Sequence, residues 1–212
     1  WAPLTQHRQQ RRARTADLAR DLRRQHGFGV LLDLAGNDSY RLEAWGQGLG
    51  MGGGVGLLWD QRGNDEYMAA GVPDPYARGA GLSGAQGVGF GHREHIGGGI
   101  GILRDDAGDD RYEAQMFSQG SGYYYGIGLL WERAGFDSYQ AYRYTQGNGT
   151  HQAVGVLRDE GGDDRYVANG NAQGMGLDVA VGLLLRVGAE NWEESKIKSR
   201  SKRRIGSPPP HS

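Results

Sequence analysis

The chain of 212 residues contains no cysteine, and its lysines are confined to Lys196, Lys198 and Lys202 near the C-terminus. The absence of cysteine excludes disulfide bonds and thiolate metal sites. No run of about 18 apolar residues occurs, so we expect no membrane span. Because residue 1 is Trp and not Met, we expect the chain to be a mature form or a fragment.

Glycine is abundant where other features are scarce. The chain has 39 glycines, and only 37% of its residues are hydrophobic. So much glycine disfavours helix interiors, because glycine loses the most backbone entropy when it is ordered. Five of the 11 tyrosines recur in phase with leucine, which is typical of a packed core and not of a disordered chain.

The net charge of −1 hides a partition along the chain. Residues 1–26 carry seven Arg against two Asp, and residues 186–212 carry seven Lys or Arg against three Glu. The stretch 27–185 carries ten Arg against twenty acids, a net charge of −10. An acidic region of this kind suits cations, and we expect it to bind no nucleic acid.

A 27-residue repeat dominates this acidic region. An Asp that follows Gly-x recurs with this period, apart from one 45-residue step, at Asp38, Asp65, Asp110, Asp137 and Asp164. Tyr lies two positions after each of these Asp, an acid five before and Leu seven before, as in Tyr40, Asp33 and Leu31. A Gln-Gly pair follows. The longer step indicates an 18-residue insertion in the second copy.

The repeat predicts an all-β repeat protein. We favour a parallel β-solenoid of about five to six 27-residue coils, in which equivalent side chains stack about 4.8 Å apart. The alternative is an antiparallel meander of hairpins, since a three-residue loop that ends in Gly is typical of a hairpin with a bulge. The second arrangement resembles MORN repeats, which share the G-x-G and G-D-x-Y features at a shorter period.

Three segments follow from this pattern. Residues 1–27 are predicted to form an N-terminal cap with a short Arg-rich helix from Thr15 to Gln25. Residues 28–187 form the β-repeat domain, with the insertion at about 71–98. Residues 188–212 form a basic tail, which we expect to be disordered because it lacks any apolar period.

The acidic turns are the strongest chemical signal. Examples are L-A-G-N-D-S-Y at 34–40 and D-A-G-D-D-R-Y at 106–112. These turns resemble those of RTX (haemolysin-type) repeats, G-G-x-G-[ND]-D-x-[LY], over about seven residues of each copy. In that family the turns of a parallel β-roll bind Ca²⁺ through Asp carboxylates and backbone carbonyls, so the resemblance implies calcium here.

Repulsion between stacked carboxylates favours the same ion. Stacked coils turn each acidic column into a ladder of like charges, and neighbours about 4.8 Å apart repel by roughly 3.5 kcal/mol at an effective dielectric constant of about 20. Ca²⁺ prefers such oxygen ligands. The alternatives are that each Asp only accepts backbone N–H groups, or that Arg111 and Arg165 offset the charge. The predicted metal ligands are Asp33, Asn37, Asp38, Asp60, Asn64, Asp65, Asp105, Asp109, Asp110, Asp137, Asp159, Asp163 and Asp164.

The predicted function is a non-enzymatic structural or binding module, secreted or at the cell surface, with Ca²⁺ in its acidic turns. The alternative is a metal-free protein-interaction scaffold. Enzyme signatures are weak, because the paired carboxylates recur in every repeat whereas a catalytic pair is needed only once. The partner is expected to be a protein or a carbohydrate, with Tyr123, Tyr124 and Tyr125 as an aromatic contact surface if they are exposed. End-to-end or homo-oligomeric association is the other contact that we consider.

Overall fold

The structure is a computed structural model that describes residues 26–74, 79–93 and 95–187. These residues form an all-β protein without a helix. It follows that none of the described residues lies in a helix able to span a membrane. The predicted helix from Thr15 to Gln25 and the predicted basic tail, residues 188–212, fall outside the described residues.

The chain winds through five full coils and the start of a sixth, with strands numbered in chain order. Coil 1 contains β1 (Phe28–Asp33), β2 (Ser39–Leu42) and β3 (Gly50–Met51). Coil 2 contains β4 (Val55–Asp60), β5 (Glu66–Ala69), β6 (Val72–Pro73), β7 (Gly81–Ala85) and β8 (Gly89–Phe90). Coil 3 contains β9 (Ile100–Asp105), β10 (Arg111–Glu113), β11 (Met116–Ser118) and β12 (Gly122–Tyr123). Coil 4 contains β13 (Ile127–Glu132), β14 (Ser138–Gln140), β15 (Arg143–Thr145) and β16 (Gly149–Thr150). Coil 5 contains β17 (Val154–Asp159), β18 (Arg165–Val167), β19 (Gly170–Ala172) and β20 (Gly176–Leu177), and β21 (Val181–Arg186) begins coil 6.

Equivalent strands of successive coils pair into four sheets. Sheet A has the order β1-β4-β9-β13-β17-β21, and sheet B has the order β2-β5-β10-β14-β18. Sheet C contains β6, β7, β11, β15 and β19, and sheet D contains β3, β8, β12, β16 and β20. The inter-coil pairs are parallel, and those of sheets A, B and D are in register, for example Leu31 with Leu58 and Tyr40 with Tyr67. The predicted parallel β-solenoid is therefore confirmed, and the antiparallel meander is wrong, because β1 and β2 belong to different sheets.

The core consists of two stacked files between sheets A and B. One file contains Leu58, Leu103, Leu130 and Leu157, and the other contains Tyr40, Tyr67, Tyr112 and Tyr139, all at most 1% exposed. Neighbouring tyrosine rings stack from Tyr40 to Tyr166 with centroids 4.7–4.9 Å apart and interplanar angles of at most 7°. The spacing equals the distance between paired strands, so backbone pairing and ring stacking reinforce each other.

Glycine allows backbones to meet where no side chain separates them. An ideal Cβ on Gly56 of sheet A would lie 2.0 Å from the carbonyl oxygen of Leu49. In the acidic turns, a Cβ on Gly135 would lie 1.6 Å from the carbonyl oxygen of Gly108 in the preceding coil. The turn glycines are therefore required by the close approach of adjacent coils.

The insertion in coil 2 occurs as two segments on either side of β8. The chain between Tyr67 and Gln86 is longer than the equivalent stretch between Tyr40 and Gln47, so the larger part of the insertion precedes β8. The smaller part follows β8, before the next coil begins at β9. The first segment contributes β6, which pairs with β7 in the one antiparallel pair among the described strands. Sheets A and B continue past the insertion in register, whereas in sheet C the pairing of β7 with β11 shifts by one residue between Met116 and Ser118.

Candidate metal centre

The acidic turns lie at the corner of the solenoid where each coil passes from sheet A to sheet B. Asp60 is the last residue of β4, and Asp65 comes immediately before β5. Successive side chains along a strand point to opposite faces, so Asp60 points inward with Leu58, and Asp65 points inward with Tyr67. The same alternation in each coil produces two internal files of carboxyl groups.

We name the two files by their position. The strand-end file is Asp33, Asp60, Asp105, Glu132 and Asp159. The turn file is Asp38, Asp65, Asp110, Asp137 and Asp164. Asp33 and Asp164, at opposite ends of the stack, are half-buried, and the other members are at most 5% exposed. Both files are therefore withdrawn from water over most of their length.

From Asp60 to Asp159, both carboxyl oxygens of each member of the strand-end file accept hydrogen bonds from the protein. In Asp60, Oδ1 accepts the backbone N–H of Arg62 at 3.1 Å, and Oδ2 accepts the Tyr40 hydroxyl of the preceding coil at 2.6 Å. Asp105 and Glu132 repeat this pattern with Tyr67 and Tyr112 at 2.6 and 2.5 Å. In the last full coil, Asp159 accepts both Tyr139 and Tyr166, because Arg186 stands at the next position of the file.

In the middle of the turn file, from Asp65 to Asp137, one oxygen of each carboxyl is hydrogen-bonded and the other is not. The backbone N–H of each Asp donates to Oδ1 of the Asp in the following coil, at 2.5 Å for Asp38 to Asp65, 2.6 Å for Asp65 to Asp110 and 2.7 Å for Asp110 to Asp137. The second oxygen, Oδ2, of Asp65, Asp110 and Asp137 is buried without a hydrogen-bond partner. A buried carboxylate oxygen without a donor or cation is costly, so it calls for neutralisation.

The two files approach each other closely at the corner. Four groups of three carboxyls each offer oxygens that all lie within 4.8 Å of one another. The groups are Asp33, Asp38 and Asp60; Asp60, Asp65 and Asp105; Asp105, Asp110 and Glu132; and Asp137, Asp159 and Asp164. We name them acidic clusters 1 to 4 in this order. Because Asp60 belongs to clusters 1 and 2, and Asp105 to clusters 2 and 3, these three clusters form a continuous chain of sites.

Burial and mutual repulsion change the acidity of these groups. Desolvation, followed by the charges of Asp60 and Asp105, raises the pKa of Asp65 from 3.8 to about 8. Desolvation and the charge of Asp105 raise the pKa of Asp110 to about 9. Burial also raises the pKa of Asp60, and that of Glu132 well above its ordinary value. At neutral pH the corner cannot hold a full set of bare negative charges, so protons or cations must compensate it.

Basic side chains supply little of this compensation. Arg186 approaches Asp164 at 3.5 Å, at the last coil of the turn file. Arg111, one of the two arginines considered from the sequence, instead pairs with Glu113 on the outside of the coil. The other, Arg165, is exposed. The clusters in the middle of the stack therefore do not owe their neutrality to either of these arginines.

Nine of the thirteen predicted ligands belong to the clusters, and four do not. Asn37, Asn64, Asp109 and Asp163 are exposed on the outer side of the turn. There Asn37 Oδ1 accepts the N–H of Asn64 at 3.2 Å, and Asn64 Oδ1 accepts the N–H of Asp109 at 3.2 Å. These side chains link adjacent coils from the outside, because alternation along the turn directs them away from the buried Asp next to them.

Two participants in the site were not predicted as such. Glu132 provides an oxygen to acidic cluster 3, although its Glu side chain departs from the Asp of the other repeats. The tyrosine hydroxyls bind the strand-end file and hold its carboxyls in place. The signal for both was present in the sequence, since Glu132 and the tyrosines keep the 27-residue phase of the acidic column.

These features define the class of protein. The chain is a parallel β-solenoid with 27-residue coils, and one corner of it encloses two files of carboxyl groups. Comparisons with protein-family models, with curated proteins and with solved structures found no match.

Proposed function

We propose that this β-solenoid is a non-enzymatic structural or binding module whose acidic clusters bind Ca²⁺. The observation that carries the proposal is the unpartnered buried Oδ2 of Asp65, Asp110 and Asp137, each within a cluster of three carboxyls. A bound cation would satisfy these oxygens and offset the repulsion between the files. The repetition of the carboxyl pair in every coil supports a structural role over a catalytic one.

The donor set suits a hard cation. Every ligand in the clusters is a carboxylate oxygen, and no cysteine or histidine takes part among the described residues. Ca²⁺ binds oxygens at about 2.3–2.6 Å, so two ligands on opposite sides of one ion lie about 4.6–5.2 Å apart. The separation of at most 4.8 Å in each cluster is compatible with a single ion held by three carboxylates. The resemblance of the turns to RTX repeats supports the same ion.

A metal-free scaffold is the second candidate, and a specific observation favours it. The raised pKa values of Asp65 and Asp110, about 8 and about 9, allow these carboxyls to be protonated at neutral pH. A protonated carboxyl carries no charge and can donate its own hydrogen bond. In this alternative, protons neutralise the corner, and the solenoid presents its outer faces to a protein partner.

The proposed function implies a cellular location and a binding partner. We propose a secreted or cell-surface protein, because extracellular calcium modules bind at about 10⁻⁴–10⁻³ M. A protein or carbohydrate partner is supported by aromatic rings on the outside of sheets C and D. Phe117 and Tyr123 are half-buried with ring centroids 4.8 Å apart, and Tyr125 is 58% exposed.

The test compares two adjacent aspartates that the structure separates. Asp110→Asn removes a charge from acidic cluster 3, whereas Asp109→Asn removes one from the exposed side of the same turn. We expect Ca²⁺ at a hundredfold excess over its dissociation constant to raise the Tm of the chelator-treated protein by about 5–10 °C per site. Calorimetric titration should give about one Ca²⁺ fewer for Asp110→Asn and an unchanged number for Asp109→Asn.

The two candidate functions predict different responses of the melting temperature to Ca²⁺ and to Asp110→Asn. If calcium fills the clusters, Asp110→Asn loses part of the Ca²⁺ response. If protons fill them, the wild type shows no Ca²⁺-dependent change in Tm, and Asp110→Asn, which resembles the protonated acid, matches or exceeds the wild-type Tm at pH 8. The absence of any Ca²⁺ response would overturn the calcium proposal and leave the scaffold.

A further inference from the structure

Two of the three outward columns of sheet A are apolar across all six strands, and the third contains Arg104 and Arg158 among Leu and Trp. Gly56, Leu58 and Asp60 of β4 point inward, so Val55, Leu57 and Trp59 point outward, and the register repeats this arrangement in the other strands. The middle outward column is Val30, Leu57, Ile102, Leu129, Val156 and Leu183. The column that begins at Phe28 contains only Phe, Val and Ile. A solenoid surrounded by water has no need of such a face unless something covers it.

This face is open among the described residues. Phe28 is 73% exposed, Ile127 45% and Val181 50%, so the exposed apolar side chains extend from one edge of the sheet to the other. A contiguous apolar patch larger than a few hundred Å² marks an interaction site. Strands about 4.8 Å apart and about 20 Å long give the six-stranded face a projected area of about 500 Å². The pleated side chains add to this, so the accessible area approaches the ~800 Å² per partner of a standard interface.

The third outward column has the composition of an interface. It places the guanidinium of Arg104 between Trp59 and Trp131, at 4.7 and 4.6 Å from the ring centroids. Trp and Arg are enriched in interfaces, and Lys, which is depleted there, is absent from this face. Arg133 bridges Asp106 and Glu160 beside this column at 3.6 Å each, so both signs of charge occur on one rim. A rim with both signs can complement a copy of itself.

We propose that a second copy of this chain packs its sheet A against this face, so that the protein is a two-fold dimer. The segment 1–25 joins the chain at the β1 edge of the sheet, but the helix predicted from Thr15 to Gln25 would cover only about 16 by 10 Å. That is about a third of the face. A second sheet A is largely apolar and equal in size, and two such sheets pack about 10 Å apart with aligned strands. The contact is isologous, since the same patch serves both subunits.

The test uses two valines of the same coil that point outward from different sheets. Val156 lies in the middle column of sheet A, and Val167 is half-buried on the outside of sheet B. We expect the full chain to sediment at twice its mass of 23.0 kDa. Val156→Lys should raise the dissociation constant of the dimer by about thirtyfold or more, because it buries a charge in the contact. Val167→Lys should leave this constant unchanged.

A second measurement keeps the proposal testable if Val156→Lys fails to fold. The chain lacks cysteine, so single cysteines can be introduced without background. Leu129 and Ile102 flank the centre of the face in the middle column. Depending on the direction of the two-fold axis, Leu129 faces its own copy or Ile102 of the other subunit. Oxidation should therefore cross-link Leu129→Cys alone, or a mixture of Leu129→Cys with Ile102→Cys, faster than Val167→Cys.

Each measurement has a result that supports the dimer and one that overturns it. A dimer that Val156→Lys dissociates, or preferential cross-linking through the middle column, supports the proposal. A wild type that stays monomeric across the dilution series overturns it, and so does a dimer that tolerates Val156→Lys. Cross-linking that is no faster than with Val167→Cys also overturns it. Two copies of the chain would then associate through another surface, for example end to end through the edges of β1 and β21. Calcium dependence is not involved, so the result stands apart from the proposed function.

Discussion

At the scale of single residues, the two carboxyl files differ in what the protein does for them. Each carboxyl of the strand-end file between Asp60 and Asp159 has donors for both oxygens, from a turn N–H and from a tyrosine hydroxyl. In the turn file, Asp65, Asp110 and Asp137 have a backbone donor for one oxygen only. The carboxyls of the strand-end file are thus held by hydrogen bonds within the core, whereas the turn file retains buried oxygens that a cation or a proton can satisfy.

The tyrosine hydroxyls are expected to matter as much as the rings. Tyr112→Phe keeps the stacked ring but removes the donor to Glu132 Oε2, a contact of 2.5 Å between fully buried groups. Loss of a hydrogen bond to a buried carboxyl should lower the free energy of unfolding by about 1–3 kcal/mol. Urea denaturation measures this change. Tyr125→Phe, at a ring that is 58% exposed, is the control and should change stability by less than about 0.5 kcal/mol. Equal effects of the two substitutions would contradict the structural role of the hydroxyl.

The sequence could predict the tyrosine and acid columns but not their pairing. Tyr112 lies between Asp105 and Glu132 along the chain, and spacing alone does not choose between these acids. The structure selects Glu132 of the following coil. The selection depends on how far the chain climbs between sheets A and B, which is a property of the assembled stack. The exposed positions of Asn37 and Asp109 were missed for a related reason, because adjacent polar residues in a turn look alike until the inward direction is known.

At the scale of elements, glycine determines how closely the coils can stack. The turn glycines meet a carbonyl oxygen of the neighbouring coil, and those of sheet A meet the backbone of the Gln-Gly corner. At that corner Gln119 has φ of 52° and Gly120 of 74°, so both residues adopt the left-handed conformation. The Gln119 side chain donates to the carbonyl oxygens of Tyr112 and Gln140, which belong to successive coils. These contacts join the coils at a position where few side chains intervene.

The turn glycine can be tested against a matched glycine in the open. A Cβ on Gly135 would lie 1.6 Å from the Gly108 carbonyl oxygen, whereas a Cβ on Gly170 would meet nothing within 4 Å. Gly135→Ala should therefore cost about 3 kcal/mol or more, because the backbones of two coils must separate. Gly170→Ala should stay within about 0.5 kcal/mol of the wild type. Thermal and urea denaturation of the two variants measure the loss of stability. A mild effect of Gly135→Ala would mean that the coils are packed less tightly than the structure shows.

The strands themselves were predictable to different degrees. Sheets A and B follow from the apolar Val-Gly-Leu-Leu segment and the alternation around Tyr, which every copy shares. Sheet C was not predicted, because its strands differ between coils, as Met116–Ser118 and Gly170–Ala172 show. The choice between solenoid and meander stayed open in the sequence, since a three-residue loop ending in Gly serves a hairpin as well as a corner between two sheets.

At the scale of the whole molecule, the position of the acids changes the meaning of the net charge. Residues 27–185 carry twenty acids and ten Arg, but ten of the acids belong to the two internal files. The remaining ten acids balance the ten Arg, so the outer surface of this region is close to neutral in formal charge. The excess negative charge of this region is therefore concentrated inside the corner and not on its outer surface.

The stability of the whole chain is expected to depend on pH. The unfolded carboxyls have pKa values near 3.8, and burial raises those of Asp65 and Asp137 to about 8 and of Asp110 to about 9 in the folded chain. The folded state thus binds more protons than the unfolded state between these values. The stabilising contribution of these groups in the metal-free protein is therefore fully present below about pH 4 and is lost as pH rises through 8 and 9.

Ca²⁺ requires deprotonated ligands, so its stabilising effect should be small at pH 5 and should grow toward pH 9. Thermal melts at pH 5 and pH 9, with Ca²⁺ and with chelator, measure how stability changes with pH in the calcium-loaded and the metal-free protein. Asp110→Asn should reduce the loss of stability of the metal-free protein with rising pH, whereas Asp109→Asn should leave that loss unchanged. Only Asp110 is buried in the turn file. A metal-free protein that becomes more stable between pH 5 and pH 9 would show that the buried carboxyls are neutralised in another way.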